Sequence, residues 1–303
     1  MYCHGWFQVA FERDITEDIT AASIGTKRLV LVRTAKGLRA YDADCPHRGA
    51  HLAYGGKLDD RVIVCPFHGY RVGLATESLH GFRVSEYPTF VVGGLVFVRL
   101  SDSHEHGFMS YMEALATDHT FVPGFEMPVK ATSSLVVENG FDNRHFSAVH
   151  GVQNDPKFAI RAGEHGELLI NSVFDIPATQ WRPTRPAGEL VPVPYTASTF
   201  SPGIILGCRG GDCPYSTITT ATPTADGSST LRFSLALPVR VFGPQPRPEL
   251  CQQFLQYVRQ GLEQDQVIWE HMSMTSPQKL TPADEGILTF QKFCLEFGGE
   301  AAA

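Results

Sequence analysis

The chain has 303 residues, with 25 Lys and Arg against 32 Asp and Glu for a formal net charge of −7, and 43% hydrophobic against 19% charged residues. The acidic balance argues against nucleic acid or an anionic membrane surface as a partner. The longest apolar run, residues 89–100, is broken by Gly93-Gly94 and is too short to cross a bilayer. Such a length calls for one large or two ordinary domains.

The start, Met1 to Trp6, is short and polar, and Asp14, Glu17 and Asp18 follow soon after, unlike a secretory leader. Seven cysteines is an odd number. Cys3, Cys208, Cys213, Cys251 and Cys294 are expected as reduced thiols, which predicts a cytoplasmic protein.

The first third reads as short strands between tight turns. Residues 28–33 and 38–42 flank Ala35-Lys36-Gly37, and residues 61–64 follow. Residues 90–92 and 95–98 flank a two-residue Gly-Gly turn, a hairpin signal. Within this all-β module stand two mixed pairs, Cys45-Pro46-His47 and then Cys65-Pro66-Phe67-His68. Soft thiolates suit iron–sulfur clusters, zinc and copper. Two Cys and two His in this order form the ligand set of a Rieske [2Fe–2S] centre, with the Cys on one iron and the His on the other. A structural zinc site is the alternative. Zinc fingers, however, usually pair Cys with Cys and His with His, whereas each pair here is mixed.

Residues 104–127 turn polar and helical and mark a junction, dividing the chain into 1–110 and 111–303. Beyond it, residues 133–137 alternate like a strand and residues 140–150 look helical. Within the latter, Asp142, His145 and His150 form D-x2-H-x4-H. Two His and a carboxylate on one face of a metal, with the other positions open, is the arrangement of non-haem Fe(II) oxygenases. Histidines five apart diverge by about 140° on a regular helix, so convergence on one ion requires a wide turn or π-bulge. Residues 168–176, 217–221 and 230–237 read as strands, and the Pro-rich segments 183–194 and 244–248 as loops. A long helix is expected over 247–274, with an apolar stripe through Leu250, Phe254, Val258, Leu262, Trp269 and Met272. Asp265 falls on that stripe, where a carboxylate is costly unless its charge is compensated. That makes it the candidate third ligand; Glu263 and Glu270 fall off the stripe and are expected in solvent.

Along essentially its whole length the chain resembles the oxygenase (α) component of Rieske non-haem iron oxygenases. The resemblance rests on CPHRGAHL, CPFHGY, D-x2-H-x4-H, and Gly5-Trp6-Phe7-Gln8-Val9-Ala10, which is similar to that family's opening strand. It implies an α+β architecture: an N-terminal all-β Rieske domain, then a helix-grip catalytic domain with a curved antiparallel sheet around a long C-terminal helix. It further implies that Cys45, His47, Cys65 and His68 bind the [2Fe–2S] cluster and that His145, His150 and Asp265 hold a mononuclear Fe(II). Asp142 would link His145 to a cluster histidine, His68, of a neighbouring subunit in a homotrimer.

Electrons would come from NAD(P)H through a separate ferredoxin-type or flavin/iron–sulfur reductase. The string from Glu263 to Glu270 resembles most the ketosteroid 9α-hydroxylase and cholesterol-desaturase branch. The implied activity is O2-dependent oxidation, by preference hydroxylation, of an apolar, polycyclic, steroid- or natural-product-like substrate. Desaturation, O- or N-demethylation and ring formation are alternatives on the same centres, and a pure electron-transfer or redox-sensing Rieske protein is the alternative of another class. Expected pocket residues are Phe174, Ile176, Phe200, Ile204, Ile205, Leu206, Phe233 and Leu235, with Arg182 and Arg185 able to reach an anion from a loop.

Overall fold

The computed structural model describes residues 4–75, 81–177, 188–211, 214–273 and 275–298. The N-terminal module is built from β1 (Trp6–Phe11), β2 (Ile19–Ile24), β3 (Lys27–Thr34), β4 (Gly37–Asp42), β5 (Lys57–Asp59) and β6 (Val62–Val64). It continues through β7 (Arg71–Leu74), β8 (Arg83–Val84), β9 (Glu86–Tyr87), β10 (Thr89–Val92) and β11 (Leu95–Arg99). Among the described residues these make three small sheets, β1-β11-β10, β2-β3-β4-β9 and β5-β6-β7-β8. The strands expected in this third are all present. The Gly93-Gly94 turn joins β10 to β11 with both glycines at positive φ, +57° and +77°, a conformation that costs a residue without Cβ little.

The second part opens with α1 (Phe108–Asp118), β12 (His119–Val129), α2 (Ser133–Glu138) and the four-residue α3 (His145–Ala148). Then come β13 (Ala159–Ala162), β14 (Leu168–Pro177), β15 (Leu190–Ser201), β16 (Ile204–Arg209), β17 (Tyr215–Pro223) and β18 (Ser229–Pro238). The chain ends on α4 (Val239–Phe242), α5 (Pro248–Trp269) and α6 (Glu285–Leu295). One antiparallel sheet in the order β12-β18-β17-β16-β15-β14-β13 carries this half, and α5 packs against it through Cys251, Phe254 and Trp269. Mixed α and β content, with an N-terminal β domain ahead of a large antiparallel sheet and a long helix, agrees with the expected fold class.

Several local expectations are corrected. Residues 133–137 form helix α2, not a strand: Thr132 Oγ1 caps Leu135 N at 3.3 Å, and the consecutive Leu135, Val136 and Val137 are all buried. Burial of three neighbours suits a helix wedged between layers and not a two-faced strand. Residues 190–194 are strand, not loop. There β15 pairs with β14 alone, because its pairing with β16 starts at Tyr195↔Arg209, so Pro192 and Pro194 withdraw no donor from a two-sided ladder. The long helix runs over Pro248–Trp269 with Pro248 in its first turn, where proline's missing N–H is no loss. Met272 lies beyond it and is exposed. Cys3, Cys213, Arg182, Arg185 and Met274 lie outside the described residues. Cys208, Cys251 and Cys294 are free thiols.

The two halves share a buried polar seam. Gln8 on β1 is fully buried. Its main-chain oxygen accepts bonds from Thr222 Oγ1 and, at 2.8 Å, from Arg232 Nη1, while its side-chain Oε1 accepts from Thr220 Oγ1 at 3.0 Å. Arg232 also donates from Nε to Glu126 at 3.1 Å. Satisfied polar groups of this kind fix the docking of two layers, and unsatisfied ones are costly. Arg232→Met is therefore expected to lower unfolding stability by about 1–3 kcal/mol, measured by denaturant titration.

Candidate metal centres and the cavity between sheet and helix

The two Cys/His loops are geometric copies. Each follows a strand, β4 or β6, and closes with the same bonds. Cys45 N donates to Ala50 O and Gly49 N back to Cys45 O; Cys65 N donates to Tyr70 O and Gly69 N back to Cys65 O. Gly49 and Gly69 take φ of +71° and +69°, the left-handed corner that each loop requires. Both thiols are 2% exposed, and burial pushes the Cys45 thiol up. His47 and His68 are exposed, with ring centroids 4.8 Å apart. Two buried soft donors below and two imidazoles above fit a cluster bridged between an inner and an outer iron.

The second constellation is not the continuous helix expected over 140–150. A 3-10 turn covers Asn139–Phe141, Asp142 is extended at φ −87° and ψ 100°, and α3 starts only at His145. Asp142 makes the break: its Oδ1 accepts from Arg144 N at 3.0 Å and His145 N at 3.3 Å, competing with the helical ladder as a cap does. With the helix broken, His145 and His150 converge, their ring centroids 5.2 Å apart.

Asp265, 4% exposed on α5, completes the group, and one donor atom from each of the three lies within 4.8 Å of the others. A first-row ion with bonds of about 2.1 Å needs donors about 3–4 Å apart, so the trio fits one with a small contraction. His145 Nδ1 bonds the Asp142 carbonyl and His150 Nδ1 bonds Gln264 Oε1 at 3.2 Å. These partners leave both Nε2 atoms facing the site, as outer partners of metal-bound histidines do. Burial pulls His145 below its ordinary value despite Asp265. For His150 burial acts the same way and is the largest single effect, but the bond to Asp265 Oδ1 at 3.3 Å, the attraction of that carboxylate and the bond to Gln264 together outweigh it and hold the ring above its ordinary value.

The trio opens into a cavity of about 480 Å³ between α5 and the concave face of the large sheet. Of the eight residues expected there, Ile176, Ile205 and Phe233 line it. Strand alternation explains the others on β16: Ile204 and Leu206 point to the opposite face and pack with Trp6, Phe97 and Phe108 of the neighbouring layers. Sequence reasoning missed Asn139, whose Nδ2 lies 3.0 Å from His145 Nε2, and Arg209, Tyr195 and Gln264, all of which line the cavity. The signal for Arg209 was its spacing of two and four from Gly207 and Ile205 on one strand. Glu263 is exposed as expected, and Glu270, off the buried stripe and partly accessible to solvent, accepts from Lys130 N at 3.1 Å.

Comparison with known proteins agrees with this arrangement. The Rieske [2Fe-2S] domain matches residues 5–85, and the 3-ketosteroid 9alpha-hydroxylase C-terminal domain matches residues 104–292. The chain belongs to the Rieske non-haem iron oxygenases. Its cofactors are a Rieske [2Fe–2S] cluster and a mononuclear iron, and His145, His150 and Asp265 can bind the latter.

A cholesterol 7-desaturase of Drosophila melanogaster is 26% identical over 164 residues, covering 49% of this chain and 38% of that protein. The chain spans less than half the length of the first such desaturases it matches. The 3-ketosteroid-9-alpha-monooxygenase oxygenase component of Rhodococcus rhodochrous is 22% identical and is covered to 84%, with 98% of this chain aligned. In fold the chain is similar to a crystal structure of dicamba monooxygenase, with a TM-score of 0.76 at 17% identity and 97% of each chain covered. No described helix is long and apolar enough to cross a membrane.

The two sites are expected to lose metal independently. Asp265→Ala should remove about one iron per chain and leave sulfide unchanged; Cys65→Ser should remove about two irons with their sulfide. Iron and acid-labile sulfide analysis measures both.

Proposed function

We propose that the chain is a terminal oxygenase that uses O2 and electrons from a separate NAD(P)H-dependent reductase to hydroxylate an apolar, polycyclic, steroid- or natural-product-like substrate. The observation that carries this reading is a buried His145–His150–Asp265 trio opening into a cavity of small-molecule size. When bound, the iron activates O2 and the cluster delivers single electrons. In this assignment Cys45, His47, Cys65 and His68 hold the cluster within domain 1–110, and His145, His150 and Asp265 hold the iron within domain 111–303.

The protein's own groups do the positioning. Asp142 orients His145 through its main-chain carbonyl, and Gln264 orients His150. Val136, Ile205, Phe233, Val258, Leu262 and Trp269 line the cavity with apolar surface, which binds a hydrocarbon framework and keeps water from it. Match of the second half to a 3-ketosteroid 9alpha-hydroxylase domain supports the steroid-like class. Desaturation stands as the second reading, supported by the cholesterol 7-desaturase relatives.

The protein acts as a cytoplasmic homotrimer in this reading, with Asp142 linking His145 to His68 of a neighbouring copy. The exposed ring of Phe67 beside His68 and the exposed Tyr54 and Tyr70 give the cluster loops a face suited to contact with a partner chain or reductase.

Substrate-dependent O2 uptake with a surrogate reductase tests the activity; no substrate-coupled uptake across a steroid panel would sink the steroid reading. Asp142→Asn, which keeps the Oδ1 that accepts from the amides of residues 144 and 145, should keep both metal centres and lose most turnover; full turnover would remove the Asp142 carboxylate from the electron path. Subunit mixing tests the trimer. Cys65→Ser chains and Asp265→Ala chains, each inactive, should recover turnover when co-assembled, and no recovery would place both centres' traffic within one chain.

A further inference from the structure

The cavity is not uniformly apolar. On the concave face of the sheet, the cross-strand register places Tyr195, Arg209 and Tyr215 in one row, with Arg209 opposite Tyr195 on one side and Tyr215 on the other. All three line the cavity, and Thr217 follows on the next inward position of β17. The Arg209 guanidinium sits 5.7 Å from the centre of the Tyr215 ring. Among the described residues no carboxylate pairs with it.

Asp175 also lines the cavity but stands two strands over and three residues along. It is paired with Pro192 where Arg209's row meets Tyr195, and it makes no ion pair with Arg209. Tyr195 is half-buried, and burial pushes its hydroxyl up to about 12, so it remains a neutral hydrogen-bonding group. A planar cation near the ring of Tyr215 and across the strands from Tyr195, half-buried in the cavity with no counter-ion among the described residues, is organised to receive a carboxylate bidentately. A neutral substrate filling the cavity would strip water from Arg209 without compensating its charge, which is costly.

We propose that Arg209 is a specificity-determining residue that anchors a carboxylate at one end of the substrate, so that the substrate class is an apolar polycyclic acid and not a neutral sterol. This rests on the reading of the cavity as the substrate site. The apolar body lies along Val136, Ile205, Phe233 and Leu262 towards the His145–His150–Asp265 trio, and the anchor fixes which part of it stands beside the trio.

The test is calorimetric binding of cholanic acid and its methyl ester to the metal-loaded protein, a pair that differs in charge and hardly in shape. The wild type should bind the acid at least about tenfold tighter than the ester. In Arg209→Gln that ratio should fall below about twofold, and Arg209→Lys, which keeps the charge without the fork, should fall between. Equal binding of acid and ester by the wild type, or a ratio that survives in Arg209→Gln, overturns the proposal. If neither compound binds, benzoate and its methyl ester take their place. An Arg209-dependent preference for benzoate keeps the anchor and overturns the polycyclic reading; no such preference overturns the anchor itself.

Discussion

The catalytic half depends on keeping one carboxylate where carboxylates do not belong. Asp265 is 4% exposed in a helix of 22 residues whose other buried positions are Cys251, Phe254 and Trp269. An uncompensated charge there costs several kcal/mol, and His150 is drawn against it, Nε2 to Oδ1 at 3.3 Å, from a segment far back in the chain. The contact ties helix α5 to the break around Asp142, and that break is what brings His145 to the same point. A regular helix over residues 140–150 would satisfy more backbone bonds locally, yet it would separate the two histidines. The side chain of Asp142, bonding to the amides of residues 144 and 145, supplies the substitute for those bonds.

The two centres solve opposite problems with similar ligand types. At the Rieske loops the thiols are buried and the imidazoles exposed, which leaves the histidine side facing outward where an electron can enter or leave. At the trio all three donors turn inward on a cavity between a sheet and a helix, where a small molecule can be held away from bulk water. The seam at Gln8 holds the N-terminal module to the large sheet: its bonds join β1 to β17 and β18.

Much of this is legible in the sequence because metal ligation restricts residue type and spacing more tightly than secondary structure does. The Cys/His loops and the His/Asp trio declare themselves by chemistry. Asp265 does so by its mismatch with an apolar stripe. Legibility fails where tertiary context overrides local pattern: residues 133–137 alternate like a strand but are wedged into a helix, and Pro192 and Pro194 look like loop but sit where β15 has only one neighbour. It also fails for the cavity, because inward and outward faces of a buried sheet are equally apolar. Ile204, Ile205 and Leu206 are indistinguishable by composition, and only the register sends Ile205 to the cavity side and the others to the layer below.

Room in the cavity comes from what is missing as much as from what lines it. At Gly207, in the row beside Arg209, a Cβ would stand 2.8 Å from Thr217 Oγ1 and 3.1 Å from the Tyr195 hydroxyl, closing the space in front of both polar groups. Gly261 lies mid-helix on α5 against the His150 ring, with 3.7 Å from a built Cβ to Cε1. A glycine there costs a helix about 1 kcal/mol relative to alanine, and any side chain longer than alanine would push on His150. Both positions trade local stability for open volume along the line from Arg209 to the trio. The cavity is therefore shaped at two ends, one by charge and one by the histidine pair, and its length is set by glycines where packing alone would favour larger residues.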